Sequence, residues 1–315
     1  MELYPAIEAL PTSLRFVATV GIFDGLHRGH AAVLRTTREA AEVENAESVA
    51  ITFDPHPDVV LRGRTPLLVC DPRERLARMT AAGIGAVVLQ PFDLQFAAQT
   101  AEQFVRRLAR GRDLAGMVMS SESAFGRDRA GTVAVVRGLA GTMGFRLVDA
   151  PLSTVGGTRI SSTAVRELLQ AGRLTAAARL LGRPYAVIGE VVHGEKRGRE
   201  LGYPTANLGY ESPVALPPDG VYAVRVTWGG AGPLSPTRHA DGVASLGVRP
   251  QFGEGERLLE VHLLDFDEQL YGERLRVAFV RRQRGQRRFS RVAGLVRQMD
   301  RDAARARRIL TAASV

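Results

Sequence analysis

The sequence predicts an α/β half with a doubly wound parallel sheet, followed by a small antiparallel β-barrel that ends in a helix. In the first half, short apolar strands alternate with amphipathic helices, a pattern that implies right-handed crossovers between parallel strands. From Tyr185 onward, strands follow one another with turns rather than helices between them. A chain of 315 residues can bury two hydrophobic cores, and we predict domains at residues 1–183 and 184–315.

The elements of the first half follow from hydrophobic periodicity and from helix-start signals. Asp71 and Pro72 supply an N-cap and a first-turn proline, and Thr100 with Gln103 has the form of a capping box. Five strands are predicted, at residues 17–20, 48–53, 86–89, 117–119 and 145–148. Helices are predicted at about residues 30–43, 72–82, 101–110, 132–141 and 175–181, and a further helix contains Val165, Leu168 and Leu169.

The second half is predicted from period-two alternation and closely spaced turn residues. Its strands are expected at residues 186–192, 221–228, 242–248, 258–266 and 275–281. An amphipathic helix is expected over residues 290–313. The candidates for its packing face are Val292, Leu295, Val296, Met299, Ile309 and Leu310.

The stretch from residue 17 to residue 30 carries the strongest functional signal. Gly21 and Gly25 follow the first predicted strand and let the backbone approach a ligand closely. His27 and His30 then stand where a helix begins, at the end of a strand, which is where α/β sheets bind ligands. A helix N-terminus there suits a phosphate. The alternative is a glycine-rich turn with two surface histidines, and we favour the phosphate site.

Two further segments carry chemistry in the first half. Residues 52–57 read Thr-Phe-Asp-Pro-His-Pro and form a proline-bounded corner at a second strand end. Residues 156–163 combine two glycines with Arg159 and the hydroxyl residues Ser161, Ser162 and Thr163, a set able to close over a polyphosphate. By itself, the second segment is an ordinary Ser/Thr helix cap. Because another phosphate motif precedes it, we favour the functional interpretation.

Composition narrows the classes of protein. No apolar run approaches the ~18 residues of a membrane span. The N-terminus lacks the features of a signal peptide, and Cys70 alone cannot form an intrachain disulfide. We therefore expect a cytoplasmic protein.

The net charge of +9 suits anionic partners, but the basic run at residues 281–291 has no interleaved aromatic platforms. We expect neither nucleic acid nor a membrane as a partner, and no feature predicts the oligomeric state.

Taken together, these motifs resemble the bifunctional bacterial riboflavin kinase/FMN adenylyltransferase family, also called FAD synthetase. The resemblance covers nearly the whole chain. In the first half it rests on Gly-Ile-Phe-Asp-Gly-Leu-His-Arg-Gly-His (21–30), on residues 52–57, and on Arg-Ile-Ser-Ser-Thr (159–163) with Arg166. In the second half it rests on Leu-Gly-Tyr-Pro-Thr-Ala-Asn-Leu (201–208), Asp-Gly-Val-Tyr-Ala (219–223), Gly-Val-Arg-Pro (247–250) and Glu-Val-His-Leu-Leu-Asp-Phe (260–266).

The resemblance implies that the first half is a nucleotidyltransferase of the His-x-Gly-His type, with a Rossmann-like fold. FMN phosphate would attack the α-phosphorus of ATP, with His27 and His30 as the catalytic donors. Flavin contacts are implied for Pro55, His56 and Phe125. Asp24 either acts at the site or caps the local turn. The residues implied to bind nucleotide or phosphate in this half are Gly21, Phe23, Asp24, Gly25, Arg159, Ser161, Ser162, Thr163 and Arg166.

For the second half, the resemblance implies a riboflavin kinase that uses ATP as its co-substrate. Glu260 would accept the proton of the riboflavin 5′-hydroxyl, and Thr205 and Asn207 would supply oxygen ligands to Mg²⁺. A glycine-rich flap from Gly194 to Gly202 would cover the nucleotide phosphates. As a lone residue, Glu260 would be a solvent-facing strand glutamate. Riboflavin, FMN and ATP are the partners that the resemblance implies.

The sequence departs from the family pattern at several positions. The family usually has Gly-x-Asn/Asp-Phe-x-Phe-Gly after its fourth strand, whereas residues 120–126 read Ser-Ser-Glu-Ser-Ala-Phe-Gly and match only at Phe125 and Gly126. Ile22 replaces a common asparagine, and Ser245 and Gln251 replace the usual Asn and Thr. A second hypothesis is therefore a riboflavin kinase whose first domain is weak or uses another nucleotide or flavin acceptor. A third, of another class, is an RNA-binding or regulatory protein on an enzyme-like scaffold.

Overall fold

The first half of the chain forms a six-stranded parallel sheet with the order β1-β4-β3-β2-β5-β6. The computed structural model describes residues 1–151, 154–194, 198, 201–210, 213–248 and 257–313. The strands are β1 (Glu2–Tyr4), β2 (Arg15–Val20), β3 (Glu47–Asp54), β4 (Ala86–Pro91), β5 (Asp113–Ser120) and β6 (Arg146–Ala150). Strand order runs outward from β2 through β3 to β4, then resumes at β5 on the other side of β2. The carboxyl ends of β2 and β5 therefore form the switch point where α/β sheets bind ligands.

Helices connect these strands, as the alternation of periodicities predicts. Both partners of the predicted capping box are present, since Thr100 Oγ1 accepts from the Gln103 amide and the Gln103 side chain accepts from the Thr100 amide. The helices are α1 (Arg28–Val43), α2 (Pro57–Arg62), α3 (Pro72–Ala81), α4 (Leu94–Ala97), α5 (Ala101–Ala109) and α6 (Val133–Met143). After β6, a short hairpin of β7 (Thr154–Val155) and β8 (Thr158–Arg159) precedes α7 (Ser162–Gln170) and α8 (Leu174–Leu181).

The second half contains a closed antiparallel barrel of the order β10-β13-β12-β11-β14-β9. Its strands are β9 (Ala186–Val192), β10 (Ala206–Gly209), β11 (Gly220–Trp228), β12 (Arg238–Val248), β13 (Arg257–Leu263) and β14 (Arg274–Arg284). Alternate residues of β13, Leu259, Val261 and Leu263, are buried, and the residues between them are partly exposed. The predicted fold class of both halves is confirmed.

The C-terminal helix α9 (Val292–Ala312) packs on the barrel through small side chains. Ala303, Ala306 and Leu310 form a buried cluster with residues of β11 and of the segment after β13. Of the predicted packing residues, Leu310 is fully buried, whereas Val292 is 62% exposed because it starts the helix beyond the cluster. Asp302 fixes the helix to β14, with its two carboxylate oxygens accepting from Arg284 at 2.6–3.1 Å.

The chain divides into two compact units. The first consists of Met1–Pro66 and Arg75–Ser161, and the second of Leu67–Glu74 and Ser162–Val315. Leu67–Glu74 joins the second unit through a parallel bridge between Leu68 and Val214 and an ion pair of 3.4 Å from Asp71 to Arg274. The boundary near residue 183 stays a prediction. Within the described ranges, no helix has both the length and the apolar character that crossing a membrane requires.

Candidate active sites

The turn between β2 and α1 is held in a left-handed conformation by buried side chains. Phe23, Gly25 and Leu26 all have positive φ, at 55°, 80° and 36°. Phe23 and Leu26 are only 2% and 6% exposed, and the Leu26 amide donates to the Phe23 carbonyl at 3.1 Å. A Cβ on Gly21 would lie 3.2 Å from the Phe23 ring, so a side chain there would press on the turn. The structure gives Phe23 a supporting place in the core, and the nucleotide contact that the resemblance implies for it stays a prediction.

His27 and His30 lie together at the start of α1. His27 is the N-cap, and its Nδ1 accepts the His30 amide at 3.2 Å. A neutral His27 with Nδ1 as an acceptor carries its proton on Nε2. The two rings stack with centroids 3.6 Å apart, and the Phe23 ring meets His30 edge-on at 5.3 Å. Burial and the neighbouring His27 lower the pKa of His30 well below its ordinary value, so His30 is neutral at pH 7.

The loop after β8 lies against the same helix start. A Cβ on Gly29 would be 3.7 Å from the Ile160 carbonyl oxygen and 3.1 Å from His27 Nδ1, so Gly29 leaves room for both. Arg159, which directly precedes Ile160, forms an ion pair with Glu122 from the segment after β5. The first unit thus brings together His27, His30, Asp24, the start of the 159–163 motif and the unusual 120–126 segment.

The departure from the family pattern at residues 120–124 forms a closed turn. The Ser120 and Ser123 hydroxyl groups are 2.9 Å apart, and the Ser120 amide donates to Ser123 Oγ at 3.1 Å. The Ser123 amide donates back to the Ser120 carbonyl at 2.9 Å. The two serines that replace a glycine and an aromatic residue therefore stabilise each other at the carboxyl end of β5.

The residues predicted to contact the flavin fall in different environments. Pro55 is exposed and follows a cis Asp54–Pro55 bond, and His56 caps α2 by accepting the Asp58 amide at 3.1 Å. Phe125 is only 9% exposed, with its ring 5.0 Å from that of Phe104 in the core of the sheet. The structure gives Phe125 a packing role, and its flavin contact stays a prediction.

The remaining residues of the 159–163 motif are divided between the units. Ser161 ends the first unit, whereas Ser162, Thr163 and Arg166 lie on α7 in the second. Arg166 Nε donates to the Leu67 carbonyl at 2.7 Å within that unit. Their contact with a nucleotide stays a prediction.

In the barrel, strand register brings the predicted kinase residues into one row. Asn207 of β10 lies opposite Glu260 of β13, which lies opposite Ser245 of β12. Asn207 is 8% exposed, and its buried Oδ1 accepts no hydrogen bond from the described residues. A Cβ on Gly194 would lie 2.0 Å from Asn207 Nδ2, so only glycine leaves space for this amide. An orphaned acceptor beside a carboxylate is typical of a ligand site.

Thr205 is positioned by two residues that sequence reasoning did not single out. The adjacent Pro204 carbonyl lies 2.9 Å from His262 Nδ1, and since a carbonyl only accepts, that nitrogen carries the proton. Tyr203 donates its hydroxyl to Asp300 of α9 and packs edge-on against His262 at 5.0 Å. Burial and the Asp300 bond raise the pKa of Tyr203 to about 12. The sequence signal that could have identified His262 is the alternation along β13, in which Glu260 and His262 share the face opposite Val261 and Leu263.

Parts of two kinase motifs lie outside the described residues. These are residues 195–197 and 199–200 of the predicted flap, and residues 249–251, which include Gln251. The flap glycine Gly202 has a φ of 79°, which suits glycine. Ser245, which replaces the usual asparagine, accepts from Gln286 Nε2 at 3.2 Å. The loop after β14 therefore reaches the strand next to Glu260.

Comparisons with known proteins agree with this arrangement. The family described as FAD synthetase matches residues 11–164, and the family described as riboflavin kinase matches residues 181–310. The bifunctional riboflavin kinase/FMN adenylyltransferase of Escherichia coli K12 is 36% identical over 293 residues, covering 92% of this chain and 91% of its own. The chain belongs to the bifunctional riboflavin kinase/FMN adenylyltransferase family. The resemblance in the sequence is thereby confirmed.

Other relatives extend the same result. The bifunctional enzyme of Pseudomonas fluorescens is 37% identical over 92% of each chain, and that of Bacillus subtilis is 32% identical over 91% of this chain and 90% of its own. A crystal structure of a macrolide-efflux protein from Streptococcus pneumoniae superposes with a TM-score of 0.85 at 30% identity, covering 97% of this chain and 98% of that one. The two family matches and the curated relatives support the bifunctional enzyme, and neither the altered first domain nor the RNA-binding alternative.

Proposed function

We propose that the two activities of this family reside at the two sites just described. At the β2–α1 turn, an FMN phosphate oxygen attacks the α-phosphorus of ATP, giving FAD and pyrophosphate. At the Asn207–Glu260 row, the riboflavin 5′-hydroxyl oxygen attacks the γ-phosphorus of ATP, giving FMN and ADP. The observation that carries the proposal is the strand register that pairs Asn207, whose buried Oδ1 accepts no hydrogen bond from the described residues, with Glu260.

In adenylyl transfer, the first unit acts by positioning and by charge stabilisation. Negative charge builds on the non-bridging oxygens as the α-phosphorus is displaced. His27, with its proton on Nε2, and neutral His30 each offer one N–H donor, and the start of α1 adds backbone donors. Gly21 and Gly25 let the chain approach the nucleotide. The Phe23 ring packs against His30 and supports it. Asp24 either acts at the site or caps the turn. No covalent enzyme intermediate is required.

The leaving pyrophosphate is proposed to bind the 159–163 motif. Arg159 supplies a guanidinium whose planar donors match phosphate oxygens, and Ser161, Ser162 and Thr163 supply hydroxyl groups. Arg166 is a further candidate on α7. The FMN isoalloxazine is proposed to lie near Pro55, His56 and Phe125, at the corner after β3 and the segment after β5.

In the kinase reaction, Glu260 is proposed as the general base. Its carboxylate would take the proton of the riboflavin 5′-hydroxyl as the oxygen attacks. Gly194 and Gly202 flank the segment proposed to cover the phosphates. His262 holds the Pro204 carbonyl, with Tyr203 packed against its ring, and so fixes the neighbouring Thr205.

The donor set beside Glu260 fits Mg²⁺. Thr205 Oγ1 and the orphaned Asn207 Oδ1 are the oxygen ligands that a hard cation prefers, and they would hold it together with nucleotide phosphates. Among the described residues, no group of three or more His, Cys, Asp and Glu side chains forms a metal site. When bound, Mg²⁺ would neutralise charge on the ATP phosphates.

A cytoplasmic location stays a prediction.

A product assay on the purified full chain tests the proposal. The protein is incubated with ATP and Mg²⁺ and either riboflavin or FMN, and flavins are separated by chromatography. Riboflavin should give FMN and then FAD, and FMN should give FAD with one pyrophosphate released per FAD. Absence of both FMN and FAD in the first reaction would overturn the kinase site, and absence of FAD in the second would overturn the adenylyltransferase site.

A further inference from the structure

Arg75 of α3 is a buried cation at the carboxyl end of the parallel sheet. The residue is 7% exposed, and its Nη1 donates to the Ile22 carbonyl at 3.2 Å. Its Nη2 reaches the Phe53 carbonyl at 3.4 Å, and its Nε is buried without a hydrogen-bond partner. In the part of the chain that the structure describes, no carboxylate forms an ion pair with this guanidinium.

The two carbonyl groups that Arg75 contacts belong to the two motifs of the first unit. Ile22 lies between Gly21 and Phe23 in the β2–α1 turn, and Phe53 immediately precedes the Asp54–Pro55 corner. Thr52 Oγ1 also donates to the Ile22 carbonyl, at 3.1 Å. Arg75 thus ties the proposed ATP turn to the proposed flavin corner.

A buried guanidinium without a carboxylate is costly, because carbonyl dipoles replace only part of its hydration. Such a charge raises the positive potential around it, and a low-dielectric surrounding screens it less than water would. The end of β2 is proposed to receive ATP, and the corner after β3 is proposed to receive the FMN isoalloxazine, whose phosphate must reach the α-phosphorus of ATP. An anionic substrate would therefore offset the unpaired charge.

We propose that Arg75 is a positioning residue for adenylyl transfer, and that its charge draws the anionic phosphates of ATP and FMN to the end of β2. The inference rests on the proposed function of the first unit. In the sequence, Arg75 lies between Arg73 and Arg78 in an arginine-rich amphipathic helix, and no signal there separates it from surface arginines.

The test compares R75M, which removes the charge at similar size, with R75K, which keeps it. R112M is the matched control, since Arg112 also donates to backbone carbonyls in this unit, Leu10 at 3.2 Å and Glu8 at 3.3 Å. The full-length variants are assayed for the KM of ATP and FMN, for inhibition by pyrophosphate, for riboflavin kinase activity and for the thermal unfolding midpoint.

R75M should raise the KM of ATP and the inhibition constant of pyrophosphate about tenfold, whereas R75K should change them less than about threefold. R112M should leave both unchanged, and kinase activity should be retained in all three variants. The midpoint of R75M should not fall below that of R112M, since the mutation relieves an unpaired buried charge. If R75M does not fold, R75Q tests the same loss of charge.

Two results would overturn the inference. One is an R75M enzyme with the wild-type KM and pyrophosphate inhibition, and the other is an R75K enzyme as impaired as R75M. A wild-type protein that forms no FAD from FMN would instead overturn the proposed function, so the two failures are distinguishable.

Discussion

Glu122 and Arg159 oppose each other at the mouth of the first site. Glu122 is a departure from the family pattern, and its partner Arg159 is proposed to hold pyrophosphate. The carboxylate and a phosphate therefore compete for the same guanidinium. Both side chains are partly exposed, at 32% and 65%, so their attraction is modest.

Replacing Glu122 with glutamine should tighten ATP binding for adenylyl transfer. The change removes the competing charge at nearly constant shape, and exposed pairs contribute up to about 1 kcal/mol, so the KM of ATP should fall about two- to fivefold. Steady-state kinetics with saturating FMN measures it. E102Q is the matched control, because Glu102 forms an exposed ion pair with Arg106 on α5. A KM that is unchanged or higher in E122Q would contradict the competition.

His30 should make stability depend on pH. Its pKa is lowered in the folded protein, from about 6.5 in the unfolded chain, so the unfolded state binds more protons as pH falls. The stabilisation is present above about pH 6.5 and is lost as pH falls below it toward the lowered pKa. Denaturant unfolding at pH 7.5 and 5.5 should show a larger loss for wild type than for H30Q. Equal losses in the two proteins would show that His30 titrates normally.

At the scale of elements, the N-terminus of α1 is the feature on which the first site depends. Its sequence signal was strong, because a strand, two glycines and two histidines occur within residues 17–30. The sequence located the start of α1 within two residues, and it predicted strand β9 with the observed ends. It missed the short elements β1, α2, α4, β7, β8 and β10.

The missed elements have physical reasons in common. β1 has only three residues and gains its strand conformation by pairing with β4, which no local pattern reveals. β10 has four residues, begins next to Pro204-Thr205 and looks like a turn, yet it pairs with both β9 and β13. Local propensity predicts long periodic segments, whereas these short ones depend on tertiary pairing. The Glu122–Arg159 pair was unpredictable for the same reason.

Gly29 in the first turn of α1 should be needed for activity rather than for stability. Alanine favours the helix by up to about 1 kcal/mol, but its Cβ would lie 3.1–3.2 Å from the His27 ring and force it to shift. FAD formation in G29A should fall about tenfold, since small displacements of catalytic groups are costly. G138A on α6, where a Cβ meets open space, should leave activity unchanged. Wild-type activity in G29A would mean that the His27 position is not critical.

At the scale of the whole molecule, each of the two compact units contains most of the residues predicted for one of the two sites. His27 and His30 lie in the first unit, and Asn207 and Glu260 in the second. Ser162, Thr163 and Arg166 are exceptions, because they complete a first-site motif in sequence but belong to the second unit. If each proposed site performs one reaction, the activities must be separable by single substitutions.

The most direct measurement is the flavin product distribution of E260Q and H30A, each given riboflavin with ATP and Mg²⁺, and separately FMN with ATP and Mg²⁺. E260Q should form no FMN from riboflavin but should convert supplied FMN to FAD at the wild-type rate. H30A should accumulate FMN from riboflavin and form little FAD from either substrate. Loss of both activities in either folded variant would contradict the assignment of one reaction to each site.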